Sequence, residues 1–251
     1  MIIMKANVYS LDGKVVKQIT LPKAFESDYR KDLIKRAVLS DESKTYQPKG
    51  NYIWAGFETS AKYRGRKETY GTLKNMGIPH LPREVLPKGR WGKVKRVPSS
   101  VKGHRAHPPK ANKGLVEHVN KKEYNKALES ALASSTQRDL VSYRGVVSID
   151  SLPLVVENSF ESVKKTKEVI SFFNALKLAD YLSRSKKKGT KSALIVVSEG
   201  SILNAARNIA GIDVVKVADL KVKNFAPGTK AGRLVLYTES SLKKIEERLG
   251  A

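Results

Sequence analysis

The sequence has no cysteine among its 251 residues. That rules out disulfides and thiolate-ligated metal. No uninterrupted apolar run approaches the roughly 20 residues a membrane span needs. The opening MIIMKANVYSLDG enters a strand-like pattern without an apolar signal-type core. A soluble, cytoplasmic protein is expected. Negative charge is also scarce, with 24 Asp and Glu against 48 Lys and Arg and a formal net charge of +24. A field of that sign attracts polyanions whatever the fold. Anionic membrane surfaces would compete, but no amphipathic helix pairs a basic face with a Trp/Phe/Leu-rich one.

The usual signatures of catalysis are missing as well. No G-x-x-x-x-G-K-[ST], G-x-G-x-x-G or G-x-S-x-G occurs, and the spacing of Gly228 and Gly232 is too short for a phosphate loop. Ser198, Glu199, Gly200 and Ser201 follow an apolar strand, where a helix amino terminus could accept a phosphate. A plain strand-to-helix turn is the simpler reading. His104 and His107 stand three apart within GHRAHPPK at 103–110, where prolines forbid a helix and no carboxylate lies near. Asp150 and Glu157 flank a strand without forming an acid/base pair. The lysines at 186–188 read as a helix end with a possible phosphate contact. No catalytic residue, metal site, cofactor or small-molecule substrate is expected.

What the chain does have is concentrated at 44–113. That stretch holds 17 of the Lys and Arg, three acids, seven of ten prolines, eight of 17 glycines and both tryptophans. Its apolar residues are isolated, and no period of 2 or 3.6 persists, so it is expected to lack elements and a core of its own. Loops beyond about 12–15 residues are usually functional or disordered. A disordered basic linker is the plainer alternative, but it would have no use for so many aromatics. Lys and Arg neutralise phosphates, Gly lets the backbone approach closely, Pro stiffens an extended path and aromatics stack on unpaired bases. The combination points to folded RNA. In the first half the expected RNA contacts are Lys49, Trp54, Lys62, Tyr63, Arg64, Gly65, Arg66 and Lys67. In the second they are Arg90, Trp91, Lys93, Lys95, Arg96, Lys102, His104, Arg105, His107 and Lys110.

On either side of this arm, 1–43 and 114–251 read as one globular α/β body. Strands are expected at 5–9 and 14–20, joined by Asp12-Gly13. A helix capped by Ser27 or Asp28 should run to about Leu39, and an amphipathic helix should cover 121–137. These two helices are expected to lie close together, making the arm an insertion. Beyond them, strands at 152–156, 193–197, 214–217 and 233–237 alternate with helices at 162–176, 178–185, 202–209 and 240–249. Alternation of this kind argues for a mostly parallel sheet within layers. The run ALIVV at 193–197 suits a strand buried on both faces.

KRVP at 95–98 followed by VKGHRAHPPK at 101–110 closely resembles the archaeal and eukaryotic type of the large-ribosomal-subunit protein four family. YRGR at 63–66 and the Asp12-Gly13 hairpin also match it, and residues around 74–86 are extra relative to its pattern. The resemblance implies a Rossmann-like, three-layer α/β body on the outside of the large subunit and a long extended loop threading through 23S-type rRNA. It also implies neighbouring large-subunit proteins at the peptide exit tunnel and a role in assembly. Lys62, Tyr63, Arg64, Arg66, Arg90 and Trp91 would line that tunnel. Two other readings stay open: an RNA-processing or modifying enzyme with a basic clamp, and a free RNA-binding regulator.

Overall fold

The computed structural model describes residues 4–145 and 151–249, so Asp150 lies outside the described residues. The chain divides into two compact units, one built from Met1–Thr45 and Val116–Ala251, the other from Tyr46–Leu115.

The larger unit opens with β1 (Lys5–Tyr9), β2 (Val15–Thr20) and α1 (Lys31–Ser43). The smaller unit then contributes β3 (Arg83–Val85) and β4 (Trp91–Val94). After it the larger unit resumes with α2 (Lys121–Ser134), α3 (Arg138–Tyr143), β5 (Leu154–Val156), α4 (Thr166–Ala175), α5 (Ala179–Lys188) and β6 (Ala193–Val197). It ends with α6 (Ile202–Ala206), β7 (Asp213–Lys216), α7 (Val222–Phe225), β8 (Leu234–Thr238) and α8 (Glu239–Leu249). Its six strands form one sheet in the order β2-β1-β5-β8-β6-β7. Only the β1–β2 hairpin is antiparallel; the other four pairings are parallel.

Every residue of β5, β6 and β8 is buried, which is why these segments read as continuous apolar runs. Neighbouring residues along each strand enter opposite cores. Val155, Leu194, Val196, Val235 and Tyr237 pack under α1, α2, α7 and α8 with Ile34, Val38, Leu128, Phe225 and Ile245. Leu154, Val156, Ala193, Ile195, Val197 and Leu236 face the other way, against Val169, Phe172 and Phe173 of α4 and Ala205 of α6. The result is helix, sheet, helix, in agreement with the expected three-layer body.

One charged side chain is buried at the amino-terminal edge of the sheet. Arg233, 1% exposed, pairs with Asp213 at 2.8 Å. Its remaining N–H groups donate to the carbonyls of Ser192 (3.2 Å), Ala193 (2.7 Å) and Asn224 (2.9 Å). Burial lowers the pKa of its guanidinium and Asp213 opposes that shift. The side chain thereby ties the starts of β6, β7 and β8 together.

Some boundaries differ from the sequence reading. The residue before α1 is Arg30, without a side-chain cap, rather than Ser27 or Asp28. A tertiary contact sets this start, because the Arg30 amide donates to the Ser130 hydroxyl of α2 at 2.7 Å. At its other end α1 continues past Leu39 to Ser43. The Ser40 hydroxyl donates to the Glu117 carbonyl at 2.6 Å, and the Glu117 amide donates to the Ser43 hydroxyl at 3.0 Å. Arg36–Glu123 (2.8 Å) and the Tyr124 hydroxyl on Asp41 (2.8 Å) join α1 to α2. Chain departure before the insertion and return after it are therefore fastened to one another.

Within the smaller unit β3 and β4 pair antiparallel, Lys62 and Arg83 form a further antiparallel bridge, and Ala61 and Leu73 are buried. This corrects the expectation of a stretch without elements or core. Strands of three and four residues are too short to leave a readable period. Their turn depends on Lys88 and Gly89 in successive left-handed conformations, a backbone choice with no apolar signature.

Candidate nucleic-acid interface

In open α/β sheets ligands usually bind beyond the carboxyl ends of the strands, where strand order reverses. Here the protein's own Glu161 carboxylate bridges part of that edge, between the ends of β6 and β8. Glu161 Oε1 accepts from the Ser198 amide (2.9 Å) and from the hydroxyls of Thr238 and Ser240 (2.6 Å each). Burial alone would raise its pKa, but those hydroxyls and the amides of Ser198 and Glu199 outweigh it and hold the carboxyl below its usual range. Gly200, at φ +126°, lies so close that a Cβ would sit 2.5 Å from the Glu161 carbonyl oxygen. The Ser198–Ser201 turn is thus a closed strand-to-helix connection. Among the described residues no group of three His, Cys, Asp or Glu is arranged to hold a metal ion, and no helix is long and apolar enough to cross a membrane.

The smaller unit is the opposite case, rich in cations with little to neutralise them. Tyr46–Leu115 contains 16 Lys and Arg and three acids. Glu84 lies 3.9 Å from Lys95, and Glu58 accepts the Tyr52 hydroxyl, so two of the three acids are already engaged. Lys49, Lys62, Arg66, Lys67, Arg90, Lys93, Arg96, Lys102, Arg105, His107 and Lys110 are all exposed; Arg64, Lys95 and His104 are half-buried. Lys95 is the exception in kind, with its side chain 17% exposed beside Glu84.

Two stretches far apart in sequence meet at Gly71. Arg64 Nη1 donates to the Tyr70 carbonyl at 3.1 Å, and the Leu73 amide donates to the Arg64 carbonyl at 3.0 Å. At φ +67°, Gly71 would place a Cβ 3.3 Å from Arg64 Nη1 and 3.8 Å from Trp91 Cζ2. Arg64 and half-buried Trp91 thus meet at one glycine, while a Cβ at half-buried Gly65 would stand 2.6 Å from the Tyr63 hydroxyl; Tyr63 and Tyr70 are 51% and 87% exposed.

The segment 96–104 closes on itself. Both the His104 amide (3.2 Å) and its Nδ1 (2.9 Å) bond to the Arg96 carbonyl, which makes Nδ1 the protonated nitrogen. The Phe57 ring lies 4.7 Å from the His104 ring and 5.8 Å from the Arg96 guanidinium, with Trp54 edge-on to Phe57 at 6.4 Å. Gly56, at φ +84°, passes so near that a Cβ would stand 2.5 Å from the His104 nitrogen. His104 is therefore a bracing residue with one ring nitrogen committed, and Arg96 is held on an aromatic face.

Lys49, Arg105, His107 and Lys110 share a separate groove of about 970 Å³, together with Tyr46, Gln47, Pro108, Pro109, Asn112 and Lys113. Tyr46, Gln47, Asn112 and Lys113 were not among the residues expected from sequence, nor was Arg83. The Arg83 Nε is buried without a hydrogen-bond partner, although its backbone bridges Lys62. No local pattern could pair residues 46–49 with 105–113 across some 60 positions. Arg83 stands alone among Leu81, Pro82, Glu84 and Val85, so no local pattern marked it either.

Residues 19–248 match the model of the ribosomal protein L4/L1 family. The chain is 42% identical to the large ribosomal subunit protein uL4 of Methanococcus vannielii, over 98% of this chain and 100% of that one. It is 43% identical to the protein of the same name from Methanocaldococcus jannaschii, over 98% and 99%. For that of Methanoculleus marisnigri the identity is 42%, over 97% and 99%.

Proposed function

The chain belongs to the ribosomal protein L4/L1 family, and from that premise we propose that it is a structural constituent of the large ribosomal subunit whose unit Tyr46–Leu115 is its main contact with rRNA. The role is structural and not catalytic. The observation that carries the assignment of this contact is the charge of the unit, 16 cations against three acids, with its exposed cations almost all unpaired. Each phosphate neutralised releases counterions. Engaging ~8 phosphates would give a log–log salt slope of about −6 to −7. Glycines allow the backbone to pass close to RNA, and Tyr63, Tyr70 and Trp91 offer ring faces to bases or sugars. Family resemblance further suggests that the stretches meeting at Gly71, with Lys62, Tyr63, Arg64, Arg66, Arg90 and Trp91, line the peptide exit tunnel, with other large-subunit proteins as neighbours.

The test is a sucrose gradient of native lysate, run before and after a high-salt wash. Stoichiometric migration with the large subunit that survives the wash is expected. Migration at the top of the gradient would reject the reading and favour a free RNA-binding regulator.

A further inference from the structure

We propose that the groove between residues 46–49 and 105–113 holds a single unpaired RNA nucleotide, its base against Tyr46 and the Pro108–Pro109 wall and its phosphate among the surrounding cations. This rests on the reading of Tyr46–Leu115 as an rRNA contact and adds the form of RNA it recognises.

Several observations converge on this groove. At about 970 Å³ it is of the size of ligand clefts, roughly 300–1,000 Å³. Its lining includes Lys49, Arg105, Lys110 and Lys113 and no carboxylate. Four other grooves of the molecule each include at least one Asp or Glu, so among these five it is the one whose charged lining is cationic throughout. Regular duplex would use the cations alone, through its backbone. This lining has more: a tyrosine ring 58% exposed, two adjacent proline rings, and the amides of Gln47 and Asn112. Ring faces serve an unstacked base, and side-chain amides pair with donor and acceptor sites on its edge. The two walls are held close, since a Cβ at Gly50 would stand 3.4 Å from the Ala111 nitrogen. The Lys113 amide, bonded to the Lys110 carbonyl at 3.2 Å, closes a turn that points both lysines from one short segment. Both walls come from one unit of the chain.

The experiment uses intact large subunits that contain the full chain, with the gradient read first. Ultraviolet irradiation followed by mass spectrometry of RNA–peptide adducts is expected to yield an adduct on the peptide bearing Tyr46 or His107. Chemical probing of the same subunits is expected to find that nucleotide single-stranded. In subunits containing Tyr46→Ala, base reactivity at that nucleotide should rise several-fold while sedimentation and the rest of the probing pattern stay unchanged. An adduct within duplex RNA, adducts on other peptides of the unit but none here, or unaltered reactivity in Tyr46→Ala would overturn the proposal. Absence of the chain from the large subunit would overturn the functional reading, and this inference with it; the gradient separates that case from the others.

Discussion

The carboxylate of Glu161 accepts the hydroxyl hydrogen of Thr238 at 2.6 Å across the carboxyl edge of the sheet. Ser240 and the Ser198 amide donate to the same oxygen, so this one carboxylate links the carboxyl ends of β6 and β8. Its ionised form is the one these donors favour, so the folded pKa lies below the ordinary value of 4.5. A depressed carboxyl stabilises the fold above the unfolded pKa and loses that stabilisation as pH falls through the folded one. Urea midpoints of the wild type should therefore drop below about pH 4.5, whereas Glu161→Gln should be about 1–2 kcal/mol less stable at neutral pH and less sensitive to acid. Identical pH profiles for the two proteins would refute this role.

Arg233 presents a case of buried charge. Replacing it with Met leaves Asp213 with Lys191 alone, and removes one donor from each of the carbonyls of Ser192, Ala193 and Asn224, of which Ser192 keeps the Tyr181 hydroxyl. The expected loss is about 3 kcal/mol in a urea or thermal melt. Arg233→Lys should recover only part, since an ammonium cannot reproduce the planar fork. A Met variant as stable as the wild type would contradict the assigned role.

Gly56→Ala tests the brace between Gly56 and His104. A methyl at φ +84°, 2.5 Å from the His104 nitrogen, has nowhere to go but into backbone. Amide hydrogen exchange at residues 96–104 should speed up several-fold, with the sheet of the larger unit unaffected. Unchanged exchange there would mean that the turn does not depend on this contact.

Charge reversals are unnecessary for testing the cations; truncation is enough. Lys62→Ala and Arg66→Ala should each reduce the magnitude of the salt slope of rRNA binding by about 1. Lys95→Ala should change it less, because Lys95 is mostly buried beside Glu84. Equal effects at all three positions would show that the Lys95–Glu84 pair does not survive on RNA.

How much was legible in sequence follows from the range of each interaction. The run ALIVV at 193–197 gave β6 to the residue, because a strand buried on both faces is apolar throughout. The start of α1 was missed because a hydroxyl of α2 fixes it from 100 positions away. Charge and aromatics at 44–113 marked the candidate site from composition alone. The meeting of Arg64 with Trp91 at Gly71, the brace of Gly56 on His104 and the groove at Tyr46 were hidden, since each joins residues whose proximity depends on the path of the backbone. The hairpin β3–β4 escaped for a different reason: its seven strand residues are too few for a period to emerge.

The most direct test of the central claim is rRNA binding by the chain with residues 49–110 replaced by a short flexible linker, measured beside the full chain at physiological salt. All six strands of the main sheet lie outside that span, so the shortened protein should keep the urea transition of the body. Its affinity for large-subunit rRNA should fall by about a hundredfold or more, with a much shallower salt slope. An unchanged affinity and slope would place the interface on the body and contradict the role assigned to Tyr46–Leu115.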